Sequence, residues 1–113
     1  WEWYNLLQSP NGINWGISNN NSAYVITSDN RLTNTWYFIT GTFNFSNNSF
    51  SSYIDSIRIA TNTPSNTSCN ATGTDLKIGN LMDGYMDGVR VYNRTLSVSE
   101  IQTIYNKEKS KYQ

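Results

Sequence analysis

Much of the chain alternates apolar and polar residues with a period of two, the pattern of strands that press one face into a core. Residues 2–8 (EWYNLLQ) read as a first strand, closed by the turn residues Ser9-Pro10-Asn11-Gly12. From Ile13 to Ser18, Ile13, Trp15 and Ile17 share one face and Asn14, Gly16 and Ser18 the other. A turn at Asn19-Asn20-Asn21, a strand from Ala23 to Ser28 and a turn at Asp29-Asn30-Arg31 follow. Turn signals every eight to twelve residues predict an antiparallel meander. Thr35 to Asn44 (TWYFITGTFN) carries apolar residues on both faces, which predicts a central strand covered on each side, with Trp36 and Phe38 in the core. After a turn at Ser46-Asn47-Asn48-Ser49, Phe50 to Ala60 reads as a hairpin tipped by Asp55-Ser56, with Ile57 and Ile59 on its return strand.

Asn62 to Gly73 is a long polar loop, read as a flexible, glycan-shielded excursion. Strands at Leu76–Ile78 and Tyr85–Tyr92 flank a turn from Gly79 to Gly84, and Asp87, Val89 and Val91 share a face of the second. The period then changes to that of a helix. Ser97 and Glu100 form an S-x-x-E capping box, Leu96 and Ile101 have the spacing of a hydrophobic staple, and Ile101, Ile104 and Tyr105 recur at i, i+3, i+4. Such a helix must lay its apolar face on another element, and a sheet is the expected one.

Charge adds little to this plan and removes several functions. Eight basic residues balance eight acidic ones, so no basic face exists for a run of phosphates and nucleic acid is excluded as a partner. Lys107, Lys109 and Lys111 crowd the C-terminus, where they suit the negative end of the helix dipole. The reading is one domain over residues 1–106 and a polar basic tail over 107–113. There is no histidine and one cysteine, Cys69, which rules out Ser-His-Asp and Cys-His nucleophiles, an ordinary zinc site and an internal disulfide. No apolar run approaches the length of a membrane-spanning helix. The opening Trp1-Glu2-Trp3 reads as the start of a piece of a longer or processed protein.

Composition points outside the cell. Asn, Ser and Thr dominate, aromatics make up 14%, and six N-x-S/T sequons begin at Asn20, Asn44, Asn47, Asn66, Asn70 and Asn93. Chance alone would give about four in a chain of this composition, so the excess is mild. It suits an extracellular, cell-surface or virion-surface glycoprotein.

The run NTWYFITGTFN, then YIDSIRIA, then LKIG, then GYMDGVRVYNRTLSVSEI resembles the laminin-G-like domains of the concanavalin A-like lectin/glucanase superfamily. The ordered motif from Gly84 to Ile101 is the most specific part. The resemblance implies an all-β fold: a two-sheet antiparallel jelly-roll β-sandwich with one short C-terminal helix. Two departures stand out. Ser56 occupies the hairpin position where the family pattern has glycine, and the family's usual N-terminal strands precede the point where this sequence begins. The expectation is that those strands come from the remainder of the parent protein or from a neighbouring subunit, because an unpaired sandwich edge recruits another chain.

Glycoside hydrolysis needs two carboxylates across the scissile bond. The E-x-D-x-E strand by which the superfamily's glucanases resemble one another is absent, and Glu2, Glu100 and Glu108 are scattered. No enzyme activity is expected and no cofactor is required. Calcium is the ligand the resemblance leaves open, with the turn Asn80–Asp83 and Asp87 supplying oxygens. The competing reading gives Asp83 a turn hydrogen bond and has Asp87 fix the hairpin or the helix-bearing segment. A sugar site pairs an aromatic platform with neutral polar groups. One candidate is Trp15 with Asn14, Tyr24 and the Asn19–Asn21 turn; the other is Tyr85 with Asp83 and Asn80. The competing reading places these aromatics in the core. The expected function is a non-catalytic binding or adhesion module of a larger surface protein, its partner a glycan or glycoprotein. The alternative is a structural domain of a surface or virion assembly, including a host-attachment protein, that binds no sugar.

Overall fold

The computed structural model describes residues 3–9, 12–19, 22–27, 34–63 and 84–112. Strands β1 (Trp3–Ser9), β2 (Gly12–Asn19) and β3 (Ser22–Thr27) form one antiparallel sheet in that order. The register pairs Ser9 with Gly12 and Asn19 with Ser22. Each pairing leaves two residues for the connection, the commonest hairpin length. Strands β4 (Ile39–Asn44), β5 (Ser49–Ile54) and β6 (Ile57–Asn62) form a second antiparallel sheet. The two sheets approach one another where β3 meets β6. The meander expected from the turn spacing is therefore present in both halves. The expected strand Leu76–Ile78, most of the polar loop, Cys69 and the sequons at Asn20, Asn66 and Asn70 lie outside the described residues.

The central strand of the second sheet is β5, not the Thr35–Asn44 strand expected from its apolar faces. Phe50, Tyr53 and Ile54 on β5 are buried, and so are Ser51 and Ser52. Ser51 donates from Oγ to Thr61 Oγ1 at 2.9 Å, and Thr61 passes its own proton to the Phe50 carbonyl at 3.2 Å. Two hydroxyls on neighbouring strands thus satisfy each other within the sheet. Ser52 pairs with Ala60 and Tyr53 with Arg58, so Ile59 is the extra residue of a bulge on β6.

The expected strand from Thr35 begins only at Ile39, because its ladder partner β5 ends at Ile54, opposite Ile39. Past that point one residue is still tied down. Phe38 N–H donates to Asp55 Oδ1 at 3.0 Å, and Asp55 N–H donates to the Phe38 carbonyl at 2.8 Å. Trp36 lies beyond this anchor and is 46% exposed, so its assignment to the core is corrected; Phe38 is half-buried against the core.

Asp55 and Ser56 form the hairpin tip, both left-handed with φ of 49° and 66°. Two positive φ angles in a two-residue loop make a type I′ turn, the twist-matched form that favours glycine at its second position. Ser56 therefore carries steric strain that glycine would relieve. Ser56→Gly is expected to raise the unfolding free energy by about 0.5–1 kcal/mol, read as a higher urea midpoint at unchanged slope. Asp55→Gly should not match it, since the carboxylate bond to Phe38 is lost. Equal stabilisation by both would refute this account of the turn.

Helix α1 spans Val98–Glu108 and continues into a short 3-10 turn at Lys109–Lys111. Its N-terminus matches the capping box read from the sequence. Glu100 N–H donates to Ser97 Oγ at 3.3 Å, and Ser97 N–H donates to Glu100 Oε2 at 2.8 Å. Leu96 and Ile101 meet Tyr53 of β5 in one buried cluster, with Phe38 and Ile104 packed against it. The helix face thus lies on the second sheet, and the Thr95 hydroxyl donates to the Phe43 carbonyl of β4 to fix the approach. The segment from Tyr85 to Tyr92, expected as a strand, has no regular structure. Among the described residues no strand pairs with it, and Val91 is 76% exposed. The Asp87 carboxylate bends the chain by accepting the Gly88 N–H at 2.7 Å, where Gly88 adopts a φ of 63°.

Candidate functional site

The two clusters proposed from sequence are only partly covered by the described residues. Asn14 and Trp15 are consecutive on β2, and Tyr24 on β3 pairs with Ile17, which makes Trp15 and Tyr24 diagonal neighbours in register. Asn80 and Asp83 lie outside the described residues. Tyr85 is 88% exposed. Of the two residues considered for calcium, Asp87 has both carboxylate oxygens engaged by protein donors, Oδ1 by Gly88 N–H and Oδ2 by the Tyr112 hydroxyl at 2.6 Å. Among the described residues no group of three or more metal-ligating side chains comes together. Of the described sequons, Asn47 and Asn93 are exposed, and Asn44 and Asn47 each accept a backbone N–H two residues on, from Ser46 and Ser49.

The structure instead gathers polar and aromatic groups where residues 35–38, the segment after Gly84 and the C-terminus meet. Tyr112 is the pivot. Its ring packs at 5.0 Å from that of Trp36, tilted by 36°, while its hydroxyl reaches Asp87. The hydrogen bond from Tyr112 and that from Gly88 hold the Asp87 carboxyl below its usual range; the same Asp87 bond pushes the Tyr112 phenol up. One turn back, Glu108 is buried and bonds to Lys111 and, at 2.8 Å, to Arg90. Phe38 and Tyr105 pack ring to ring at 5.9 Å, and the Lys109 ammonium sits 5.4 Å above the Tyr105 ring.

Residues 107–112, read from sequence as a polar tail, are thus largely helical and docked. Sequence reasoning missed Trp36 and Tyr112 as partners, yet one signal pointed there. The helical face of Ile101, Ile104, Tyr105 and Glu108 continues to Tyr112 at i+11, beyond the expected end of the helix near Asn106.

Two glutamates hold these elements by charge. The bidentate contact from Arg94, at 2.7 and 3.0 Å, together with bonds from Ser97, lowers Glu100 from the ordinary 4.5 to about 2. Hydrogen bonds from Lys111 and then Arg90 lower Glu108 to about 2 as well. Both carboxyls have folded values below their unfolded ones, so each stabilises the fold fully above pH 5. That contribution is lost as the pH falls from about 5 towards 2. Thermal unfolding is expected to show Tm declining through that window, with a shallower decline in Glu108→Gln. An identical acid profile for the variant would exclude Glu108 from this role.

A family model described as the concanavalin A-like lectin/glucanases superfamily, of laminin G type, matches residues 2–102. The chain belongs to this family. A crystal structure of an S-layer domain-containing protein (residues 221–444) from Clostridium thermocellum is similar at 16% identity and a TM-score of 0.48. The match covers 93% of this chain and 61% of that one, so the chain spans under two thirds of that neighbour. No curated protein matches the chain.

Proposed function

We propose that this chain is a non-catalytic module that binds a carbohydrate or glycoprotein on behalf of a larger extracellular or surface protein. In this reading its two sheets are the layers of a jelly-roll sandwich. The observation that carries it is membership of a lectin and glucanase superfamily in a chain whose described carboxylates all serve architecture. Asp55 anchors Phe38, Asp87 holds Tyr112, Glu100 caps α1 and Glu108 ties Arg90 to Lys111. A glycosidase acid needs a carboxyl raised towards neutrality, whereas Asp87, Glu100 and Glu108 are all lowered. The sequons and the neutral Asn, Ser and Thr content support an extracellular setting.

The test is an array of immobilised glycans probed with the protein in calcium and in a calcium chelator. Binding to a defined glycan set is expected, and its sensitivity to the chelator decides whether calcium takes part. A blank array under both conditions would remove the binding reading. It would leave the structural alternative, a domain of a surface or virion assembly, which the exposed Tyr85–Tyr92 segment, paired with no strand among the described residues, favours. That alternative predicts concentration-dependent self-association in sedimentation; a strictly monomeric, cooperatively unfolding chain would count against it.

A further inference from the structure

We propose that Trp36, Tyr112 and Asp87 form a platform that binds the ring of a neutral pyranose. The proposal rests on the carbohydrate-binding reading and gives it a place on the molecule, distinct from the Trp15 and Tyr85 clusters that the sequence suggested.

Trp36 leaves close to half of its surface open, although an indole is the largest of side chains. Its orientation is nonetheless set, because its ring packs on Tyr112, which is itself tied through its hydroxyl to Asp87. A half-open aromatic held in place in the free protein loses little side-chain freedom on binding. The apolar face of an indole matches the C–H face of a pyranose. Asp87 supplies the polar edge. An ionised carboxylate offers about four lone-pair positions. Among the described residues one donor reaches each oxygen, which leaves each acceptor capacity for a sugar hydroxyl. The carboxylate is exposed, and its geometry is fixed by Gly88 and Tyr112 rather than by the ligand.

An aromatic ring beside a carboxylate can also hold a cation. The surroundings disfavour that occupant. Lys111 acts on Asp87 electrostatically, Arg90 acts on Tyr112, and both basic side chains are drawn towards this corner by Glu108. With Asp87 and Glu108 the two basic groups leave the corner without net charge, so it draws no cation by net charge and suits a neutral, hydroxyl-rich ligand. Tyr85, two residues before Asp87 and almost fully exposed, offers a further aromatic on the same segment.

The experiment compares wild type, Trp36→Ala, Trp36→Phe and Asp87→Asn on the glycan array, each checked for folding by far-UV circular dichroism. Affinity for the best-bound glycan is then measured in solution, with choline as a cationic competitor. Trp36→Ala should lose at least about tenfold in affinity, a loss of the size expected for a stacking contact. Trp36→Phe should lose less, and Asp87→Asn should weaken binding with an unchanged circular dichroism spectrum. Wild-type binding that all three variants retain would overturn this placement and leave the binding reading intact. A blank wild-type array would overturn both. Trp36-dependent binding displaced by choline would replace the sugar with a cationic ligand and overturn the proposal.

Discussion

Phe50→Ala is expected to lower the unfolding free energy by about 3–5 kcal/mol. Phe50 is fully buried on β5, the central strand of the second sheet, between Phe43 of β4 and Asn62 of β6 in the register. Its neighbours are held by the sheet ladder and cannot close over the space a lost ring leaves, so the cavity penalty adds to the lost burial. Phe43 packs edge-on against Phe45 at 4.5 Å, which further limits its freedom to move inward. A small domain has only about 5–15 kcal/mol in total, so the variant should sit at the margin of folding. Urea unfolding followed by tryptophan fluorescence should show a much lower midpoint at a similar slope. A loss under about 1 kcal/mol would mean that β5 is not the centre of the core.

Ile101→Ala is the second large effect, at about 2–5 kcal/mol. Ile101 is fully buried and joins Leu96 and Tyr53, so it is where the helix is attached to the sheet. An isolated helix of eleven residues is marginal in water. Loss of its anchor should therefore detach the docked C-terminal segment as well as leave a cavity. The control lies on the same helix: Val98→Ala, at a residue 52% exposed, should change stability by no more than about 0.5 kcal/mol. Hydrogen exchange gives an independent view. In Ile101→Ala, amides of residues 98–108 should lose protection before those of β5. Equal effects of the two substitutions would show that the helix is held by something other than this contact. Leu96→Ala, in the same cluster, should not add to Ile101→Ala, because the two remove parts of one contact.

The helix start was legible in the sequence because capping is local. Ser97 and Glu100 need only each other's backbone, and the Leu96–Ile101 staple spans one turn, so the pattern and the structure coincide. The hairpin at Asp55-Ser56 was legible for the same reason, even with serine where glycine is easier. Trp36 was not. Its place in an alternating run predicts a buried strand residue, but alternation says which face a residue takes and not how far the partner strand extends. The segment from Tyr85 to Tyr92 was not legible either, since a strand exists only where another offers a ladder and none among the described residues does so. The Lys-rich C-terminus looked like a tail because its charges were read without their partners. Arg90, 18 residues away, and Glu108 turn part of that charge into a docking contact.

By itself, then, the sequence determined the antiparallel hairpins, the capped helix and the family, because each rests on neighbours or on an ordered motif. The tertiary structure decided which strand is central, how Tyr112 closes onto Trp36 and Asp87, and which aromatic stays open to solvent. The closure of Tyr112 depends on contacts between residues 25 to 76 positions apart, whose formation no local period encodes.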